Sequence, residues 1–343
     1  MSNQVTIRPS GHSFQVEADE TVLVAALREG YSLAHGCRNG ACGSCKGKLL
    51  EGKIDYGTHS DTALSTEEQA QGLALFCVAR PLSDIVIECR EVSAIKDQQI
   101  KILPCRVQTI EKPAPDVAVI SLKLPANERL QYLAGQYIEF LLKDGKRRSY
   151  SMANAPHDDA LLQIHVRHLP GGLFTDQVFE KMKVRDILRF EGPHGTFFLR
   201  EDSDKPVVLL ASGTGFAPIK AIIEHALHQG IVRPMTLYWG GRRPQDLYMD
   251  GLARRWAAEH SHVKYVPVIS DALAEDTWTG RSGFVHSAVM EDFPDLSGHQ
   301  VYACGAPVVI EAAQRDFSAQ CLLPPEEFYA DSFTTEADLS RTK

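Results

Sequence analysis

The sequence predicts a multidomain protein of mixed class, α+β followed by α/β: a β-grasp unit, an antiparallel β-barrel and a parallel-sheet domain. Three observations carry this. Residues 1–92 join a hairpin and a helix to a glycine-rich loop with three cysteines. Residues 104–200 hold short strands at regular spacing with few helix signals, the pattern of a small barrel. Residues 205–333 alternate continuous apolar strands with amphipathic helices, the pattern of a parallel sheet covered on both faces. Residues 93–103 read as a linker and 334–343 as a polar, frayed tail.

In the first unit, VTIRP (5–9) and SFQVEA (13–18) form a hairpin turning at Ser10 and Gly11. Thr21 caps a helix, VLVAALREG, that ends at Gly30. KGKLLEGKI (46–54) is a strand and IVIECREV (85–92) closes the sheet. The barrel strands are CRVQTIEKP, VAVISLKLP, QYIEFLL, RRSYSMA, LLQIHVRHLP and ILRFEGP, interrupted by one helix, TDQVFEKM, after Gly171 and Gly172. The last part runs strand PVVLLA, helix APIKAIIEHALHQ, strand MTLYWG, helix DLYMDGLARRWAAEH and strand VKYVPVI. FVHSAVMEDF, strand QVYACG, helix PVVIEAAQRDFSAQ and strand FYADSF follow.

Composition narrows the class. The 343 residues are 44% apolar and 23% charged, ordinary for a globular chain, with a net charge of −8. That balance argues against nucleic acid and against a polybasic membrane anchor. The start, MSNQVTIRPSGHSF, lacks the pattern of a signal peptide. No run of about 18 apolar residues occurs to span a bilayer. Eight cysteines without a secretory signal point to a reducing compartment, and the expected location is cytoplasmic.

Cys37, Cys42 and Cys45 form a C-x4-C-x2-C loop, and Cys77 follows after a long gap. This is the plant-type ferredoxin spacing of a [2Fe-2S] cluster, which needs four converging thiolates. Gly36, Gly40 and Gly43 let the loop turn tightly and bring N–H groups to the sulfurs. The alternative is zinc or a disulfide pair, but zinc sites usually bring two close cysteine pairs or matched histidines. The thirteen histidines show no ligand spacing. Cys89, Cys105 and Cys321 read as inert core thiols.

Two further motifs suit nucleotide cofactors. In RRSYS, Arg148 offers a donor fork to a pyrophosphate, Tyr150 a flat face to a flavin ring, and Ser151 a hydroxyl near the reactive ring nitrogen. Gly171 and Gly172 would present backbone N–H groups to phosphate at a helix start. Ser212, Gly213, Thr214, Gly215 and Pro218 follow a strand and open a helix, as a pyrophosphate turn does. The third glycine of the dinucleotide fingerprint is replaced by Pro218, a residue that suits a helix's first turn. A second turn, Cys304, Gly305, Ala306 and Pro307, lies at the same carboxyl edge of the sheet, with Cys304 placed to meet a nicotinamide. Arg242 and Arg243 in GGRRPQDLY are candidates for a 2′-phosphate, though solvated loop arginines are common.

Taken together, these residues resemble the ferredoxin–NADP reductase superfamily in the arrangement with an N-terminal plant-type ferredoxin domain. The stretches RRSYSMANAP, HVRHLPGGLF, TGFAPIKA, TWTGRSGFVHSAVMEDFPDLS and VYACGAP are most similar to the CDP-6-deoxy-delta-3,4-glucoseen reductase family within it. The resemblance implies FAD, a [2Fe-2S] cluster and NADH, with NADPH as the other possible donor. It implies that Arg148, Tyr150 and Ser151 contact the flavin, and that His165, Arg167, Gly172 and Thr175 hold its ribityl chain and phosphates. Gly213, Thr214, Gly215 and Pro218 would face the nicotinamide cofactor's pyrophosphate, with Cys304 near hydride transfer. Asp331 and Phe333 match an acidic and an aromatic residue that end many members, although ten residues follow Phe333 here. The implied function is an electron relay from NADH through FAD and the cluster to a partner protein. That partner is a pyridoxamine-phosphate dehydrase of 3,6-dideoxyhexose synthesis, or alternatively a di-iron or Rieske oxygenase. A non-catalytic redox sensor is a third reading from a different class.

Overall fold

A computed structural model describes residues 2–92, 98–143 and 145–334. By its internal contacts the chain divides into two compact units: residues up to Gln98 together with the chain end from Asp331, and Gln99–Ala330. The expected linker falls partly outside the described residues, at 93–97; its last residues already belong to a strand that begins at Lys101. The tail expected at 334–343 lies outside them from residue 335 onward.

The first unit holds strands β1 (Asn3–Arg8), β2 (Ser13–Val16), β3 (Lys46–Glu51), β4 (Ile54–Asp55), β5 (Leu73–Leu75), β6 (Arg80–Pro81) and β7 (Ile85–Glu88). Five of them form a sheet ordered β2-β1-β7-β3-β5, with β1 and β7 parallel and the other pairs antiparallel. The strand expected over 46–54 breaks into β3 and β4 at Gly52. There φ is +94°, and a Cβ would stand 2.3 Å from the Asp84 carbonyl oxygen. Helix α1 (Val22–Arg28) starts where Thr21 accepts a hydrogen bond from the Val24 N–H. Its Val22, Leu23, Ala25 and Ala26 are buried, and they join a core with Val5, Ile7, Leu75, Phe76 and Ile87. A second helix, α2 (Thr66–Ala70), carries a reciprocal cap between Ser65 and Glu68.

The barrel consists of β8 (Lys101–Ala114), β9 (Val117–Lys123), β10 (Tyr137–Leu141), β11 (Arg147–Ser151), β12 (Leu162–Arg167) and β13 (Ile187–His194). Their order is β11-β10-β13-β8-β9-β12, antiparallel throughout. A bridge between Met152 and Ile164 brings the two outer strands together and closes the barrel. The helical segment here begins at Leu173, two residues earlier than expected. It runs as α3 (Leu173–Asp176) and then as a wider π turn, Gln177–Lys181. Gly172 serves as N-cap without a side-chain bond, so no polar residue marked that start in the sequence.

The remaining elements are β14 (Val207–Ser212), α4 (Phe216–His228), β15 (Met235–Gly241), α5 (Asp250–Glu259), β16 (Val263–Ile269), β17 (Arg281–Ser282), α6 (Val285–Asp292), β18 (Gln300–Gly305), α7 (Pro307–Gln320) and β19 (Phe328–Ser332). The sheet order is β17-β16-β15-β14-β18-β19, and the four pairs from β17 to β18 are parallel. Residues of β14 alternate between faces. Val208 and Leu210 meet Val285, Val289, Ile310 and Phe317 of α6 and α7 in one core. On the other face Trp239 stacks on Phe216 of α4, 3.8 Å between ring centroids, and Phe216 stacks in turn on Trp256 of α5. Strands β15 to β17 lie to one side of β14 and β18 to the other, so the topological switch point, where open α/β sheets bind ligands, falls between β14 and β18.

Phe317 is fully buried in the α6–α7 core. Replacing it by Ala is expected to cost about 3–5 kcal/mol, read by calorimetry as a lower-temperature unfolding transition.

Candidate functional site

The cluster loop is built from left-handed backbone. Arg38, Gly40 and Gly43 have φ of 61°, 81° and 77°, and a Cβ on Gly40 would stand 2.7 Å from the Thr58 carbonyl oxygen. This turning aims N–H groups at sulfur: Cys37 N–H donates to Cys42 Sγ at 3.3 Å and Ala41 N–H to Cys37 Sγ at 3.4 Å. Cys77 comes from the segment after β5, whose Phe76 N–H donates to the Cys45 carbonyl oxygen. Cys37 lies against Cys42 and Cys45 against Cys77. The hydrogen bond to Cys42 pushes the Cys37 thiol far up, and that to Cys77 does the same for Cys45, with burial adding to both. Cys42, accepting from Cys37, is drawn down to about 6.

Four thiolates this close cannot all ionise without a compensating cation. Among the described residues no three of these Sγ atoms lie within 4.8 Å of one another. A single zinc bound at about 2.3 Å to each thiolate would bring all four sulfurs within about 4 Å of one another, closer than they lie here. The donor set fits a two-iron diamond.

In the barrel, Arg148, Tyr150 and Ser151 lie in β11. Ser151 is buried, and Tyr150 tilts against Phe174 at 5.1 Å and Phe140 at 5.9 Å. His165, in the neighbouring β12, is buried and pushed down to about 3, chiefly by that burial, so its ring is neutral at physiological pH. Nε2 stands 3.3 Å from Gln163 Oε1, which only accepts, and Nδ1 stands 2.7 Å from Tyr248 Oη. The proton therefore sits on Nε2, and Tyr248 donates to Nδ1. Gly172 has no room for a side chain, since a Cβ would meet Thr175 Oγ1 at 2.5 Å. The Thr175 hydroxyl donates to the Leu169 carbonyl oxygen at 2.8 Å and pins that turn. The expectation that Gly171 and Gly172 offer their N–H groups to phosphate is not met: Gly171 donates to Asp176 Oδ2 and Gly172 to the Leu169 carbonyl oxygen.

At the switch point two turns interlock. Gly213–Gly215 forms a 3₁₀ turn between β14 and α4, with Gly213 at φ +55° and Thr214 buried. A Cβ on Gly215 would stand 2.1 Å from the Cys304 carbonyl oxygen, and one on Gly305, at φ +133°, 2.4 Å from that of Ser212. Trp239 Nε1–H donates to the Gly213 carbonyl oxygen at 3.0 Å and holds the turn from below. Pro218 lies in the first turn of α4, Pro307 is the first residue of α7, and Cys304 is buried at the end of β18. Arg167 comes from β12 to this place. Its Nη1 meets Asp116 at 3.3 Å and Asp246 at 4.0 Å. Nε and Nη2, the two donors of one bidentate edge, are buried and have no hydrogen-bond partner among the described residues. The same guanidinium lies 3.5 Å from the Cβ position of Gly213. An unpaired donor edge beside a glycine turn fits an anionic group of a dinucleotide.

Asp331 is buried in β19 and Phe333 is half-buried just beyond it. Sequence reasoning did not single out Tyr248, Trp239 or Lys220. Lys220 Nζ, on α4, donates to the Ala153 carbonyl oxygen at 3.0 Å just past β11. The Asp-Leu-Tyr run of residues 246–248, expected to open a helix, precedes α5, which begins at Asp250. Cys89 and Cys105 are raised to about 12 by burial, in keeping with inert thiols.

Two substitutions test this geometry. Cys77→Ala should remove most of the iron and the visible absorption of the cluster, measured by iron assay and spectrum. Gly305→Ala combines left-handed strain with a backbone clash, at about 1–3 kcal/mol each, and should lower the melting temperature and weaken NAD⁺ binding at least tenfold.

Family comparisons follow the same three segments. The 2Fe-2S iron-sulfur cluster binding domain matches residues 5–82, the oxidoreductase FAD-binding domain 104–199, and the oxidoreductase NAD-binding domain 209–315. The chain is 41% identical to a CDP-6-deoxy-L-threo-D-glycero-4-hexulose-3-dehydrase reductase of Yersinia pseudotuberculosis serotype I (strain IP32953), covering 97% of this chain and 99% of the relative. It is 34% identical to the terephthalate 1,2-dioxygenase reductase component 2 of Comamonas sp, covering 98% of each. Among solved structures it is similar to the Amycolatopsis cytochrome P450 reductase GcoB, with TM-score 0.78, 35% identity, and coverage of 97% of this chain and 99% of that one. Among the described residues no helix is long and apolar enough to cross a membrane. With a [2Fe-2S] domain ahead of FAD- and NAD-binding domains, the chain belongs to the ferredoxin–NADP reductase family and is an NAD(P)H-dependent electron-transfer oxidoreductase.

Proposed function

We propose that this chain takes electrons from NADH and delivers them to a pyridoxamine-phosphate CDP-sugar dehydrase, as the reductase of a cytoplasmic 3,6-dideoxyhexose pathway. The observation that carries this reading is the 41% identity to a hexulose-dehydrase reductase along nearly the whole of both chains, against 34% for the dioxygenase component. The bound cofactors supply the conversion of a two-electron hydride into single electrons.

The chain's own residues bind and orient. Arg148 offers its guanidinium to the flavin pyrophosphate, Tyr150 a ring face, and Ser151 a hydroxyl to the reactive edge. The glycine turns at 213–215 and 304–305 admit the dinucleotide without side-chain interference, with Cys304 beside the nicotinamide. Neutral His165, held by Tyr248, adds no charge to this region. Cys37, Cys42, Cys45 and Cys77 hold the cluster. Asp331 and Phe333 act at the flavin in this reading, although the chain continues beyond them.

A second reading, a reductase feeding an oxygenase, is favoured by the 35% identity to the Amycolatopsis cytochrome P450 reductase. A redox sensor is the least supported, because it needs neither nucleotide turn.

The test is an anaerobic coupled assay of chain, NADH, dehydrase and CDP-sugar substrate, following deoxygenated product. Product that depends on this chain is expected. Brisk NADH-dependent dye reduction without product would replace the dehydrase by an oxygenase, and absence of dye reduction would leave the sensor. Anaerobic NADH titration of the loaded chain should take up roughly three electrons, two on the flavin and one on the cluster.

A further inference from the structure

In a dinucleotide-binding sheet the residues just past the second strand read the adenosine ribose: a carboxylate accepts from its 2′-hydroxyl, or an arginine meets a 2′-phosphate. Here that place follows β15, and it carries two adjacent arginines. Arg242 is 74% exposed along its side chain. Arg243 is not available: its Nε and Nη2 meet the two oxygens of Asp276 at 2.7 and 2.8 Å. This is the bidentate fork geometry that a phosphate would otherwise take. Glu275 lies 3.8 Å from the same guanidinium.

The backbone donors of the loop are occupied as well. Asp246 Oδ2 accepts from the N–H of Arg242 at 2.8 Å and of Arg243 at 3.1 Å. The loop is fixed to the end of β16, since Ser270 and Asp271 N–H donate to the Gly241 and Arg242 carbonyl oxygens. Asp276 is itself fixed, accepting from the Leu273 N–H at 2.8 Å. Two guanidinium groups are thus set among Asp246, Asp271, Glu275 and Asp276, and an incoming 2′-phosphate meets a surplus of negative charge.

We infer that Asp276 is a specificity-determining residue: by holding the Arg243 fork it withholds the cation a 2′-phosphate needs and makes the chain selective for NAD(H) over NADP(H). This deepens the NADH reading given above and does not depend on which partner protein accepts the electrons.

The test is calorimetric binding of NAD⁺ and NADP⁺ to the full, cofactor-loaded chain, with flavin and cluster absorbance as the check on folding. Wild type should bind NAD⁺ at least tenfold more tightly than NADP⁺. Asp276→Asn keeps an acceptor for the Leu273 N–H but loses the charged fork. It should tighten NADP⁺ at least tenfold while NAD⁺ stays within about twofold, and adding Arg243→Ala should abolish the gain. Arg243→Ala alone should leave the ratio unchanged, because Arg243 is already engaged. Equal affinity for both nucleotides in wild type, an unchanged ratio in Asp276→Asn, or a selective loss of NADP⁺ binding in Arg243→Ala alone would each overturn the inference. The single Arg243 variant decides the matter if Asp276→Asn does not fold.

Discussion

Two chain reversals pressed together with no side chain between them set the terms for the larger unit. At the ends of β14 and β18 the Gly215 and Gly305 backbones lie where any Cβ would enter the carbonyl of the opposite turn. Parallel pairing of β14 with β18 delivers both turns to the same edge, and Trp239 holds one of them from the buried face. Everything else at this edge is arranged around that contact. Arg167 reaches over from the barrel, Tyr248 anchors His165, and Cys304 closes the floor. Gly305 takes a left-handed backbone that suits glycine, Gly215 leaves the space a Cβ would fill, and the result is a surface where backbone, not side chain, faces the ligand.

The smaller unit solves a different problem, the gathering of like charges. Its loop uses left-handed residues to turn N–H dipoles toward sulfur, which partly offsets the repulsion among four thiolates. Its core supplies the rigidity. Phe76, next to Cys77, is buried among Leu23, Leu75 and Ile87, so the distant fourth ligand is fixed by apolar packing, whereas the other three are fixed by loop geometry.

The legible parts of this chain were those with local causes. Cysteine spacing, glycines in a turn after an apolar strand, and strand–helix alternation each depend on residues within a few positions, and the tight loop, the turn and the alternating sheet are all present in the structure. Helix α2 was equally legible, because its Ser65–Glu68 capping pair is written in the run STEE, yet it went unremarked. The break at Gly52 was not legible, since it depends on a carbonyl 32 residues away. Nor was the bond between His165 and Tyr248, which are 83 positions apart. The Gly171–Gly172 turn shows a third case. Its motif suggested free N–H donors, and only the folded geometry reveals that Asp176 and Leu169 already take them.

Sequence motifs divide this protein into three modules, but the bonds between barrel and sheet do not respect the second division. Lys220 of α4 reaches the Ala153 carbonyl beside β11, and Arg233, ahead of β15, donates to the Arg200 carbonyl between the last barrel strand and β14. A chain cut between Leu199 and Val207 would strand the buried Lys220 ammonium on one piece and leave the Ala153 carbonyl bare on the other. For gene shuffling, barrel and sheet are therefore inherited as one cassette. Diversification of such a cassette is left to its outward loops, where exchange of a residue disturbs no shared bond.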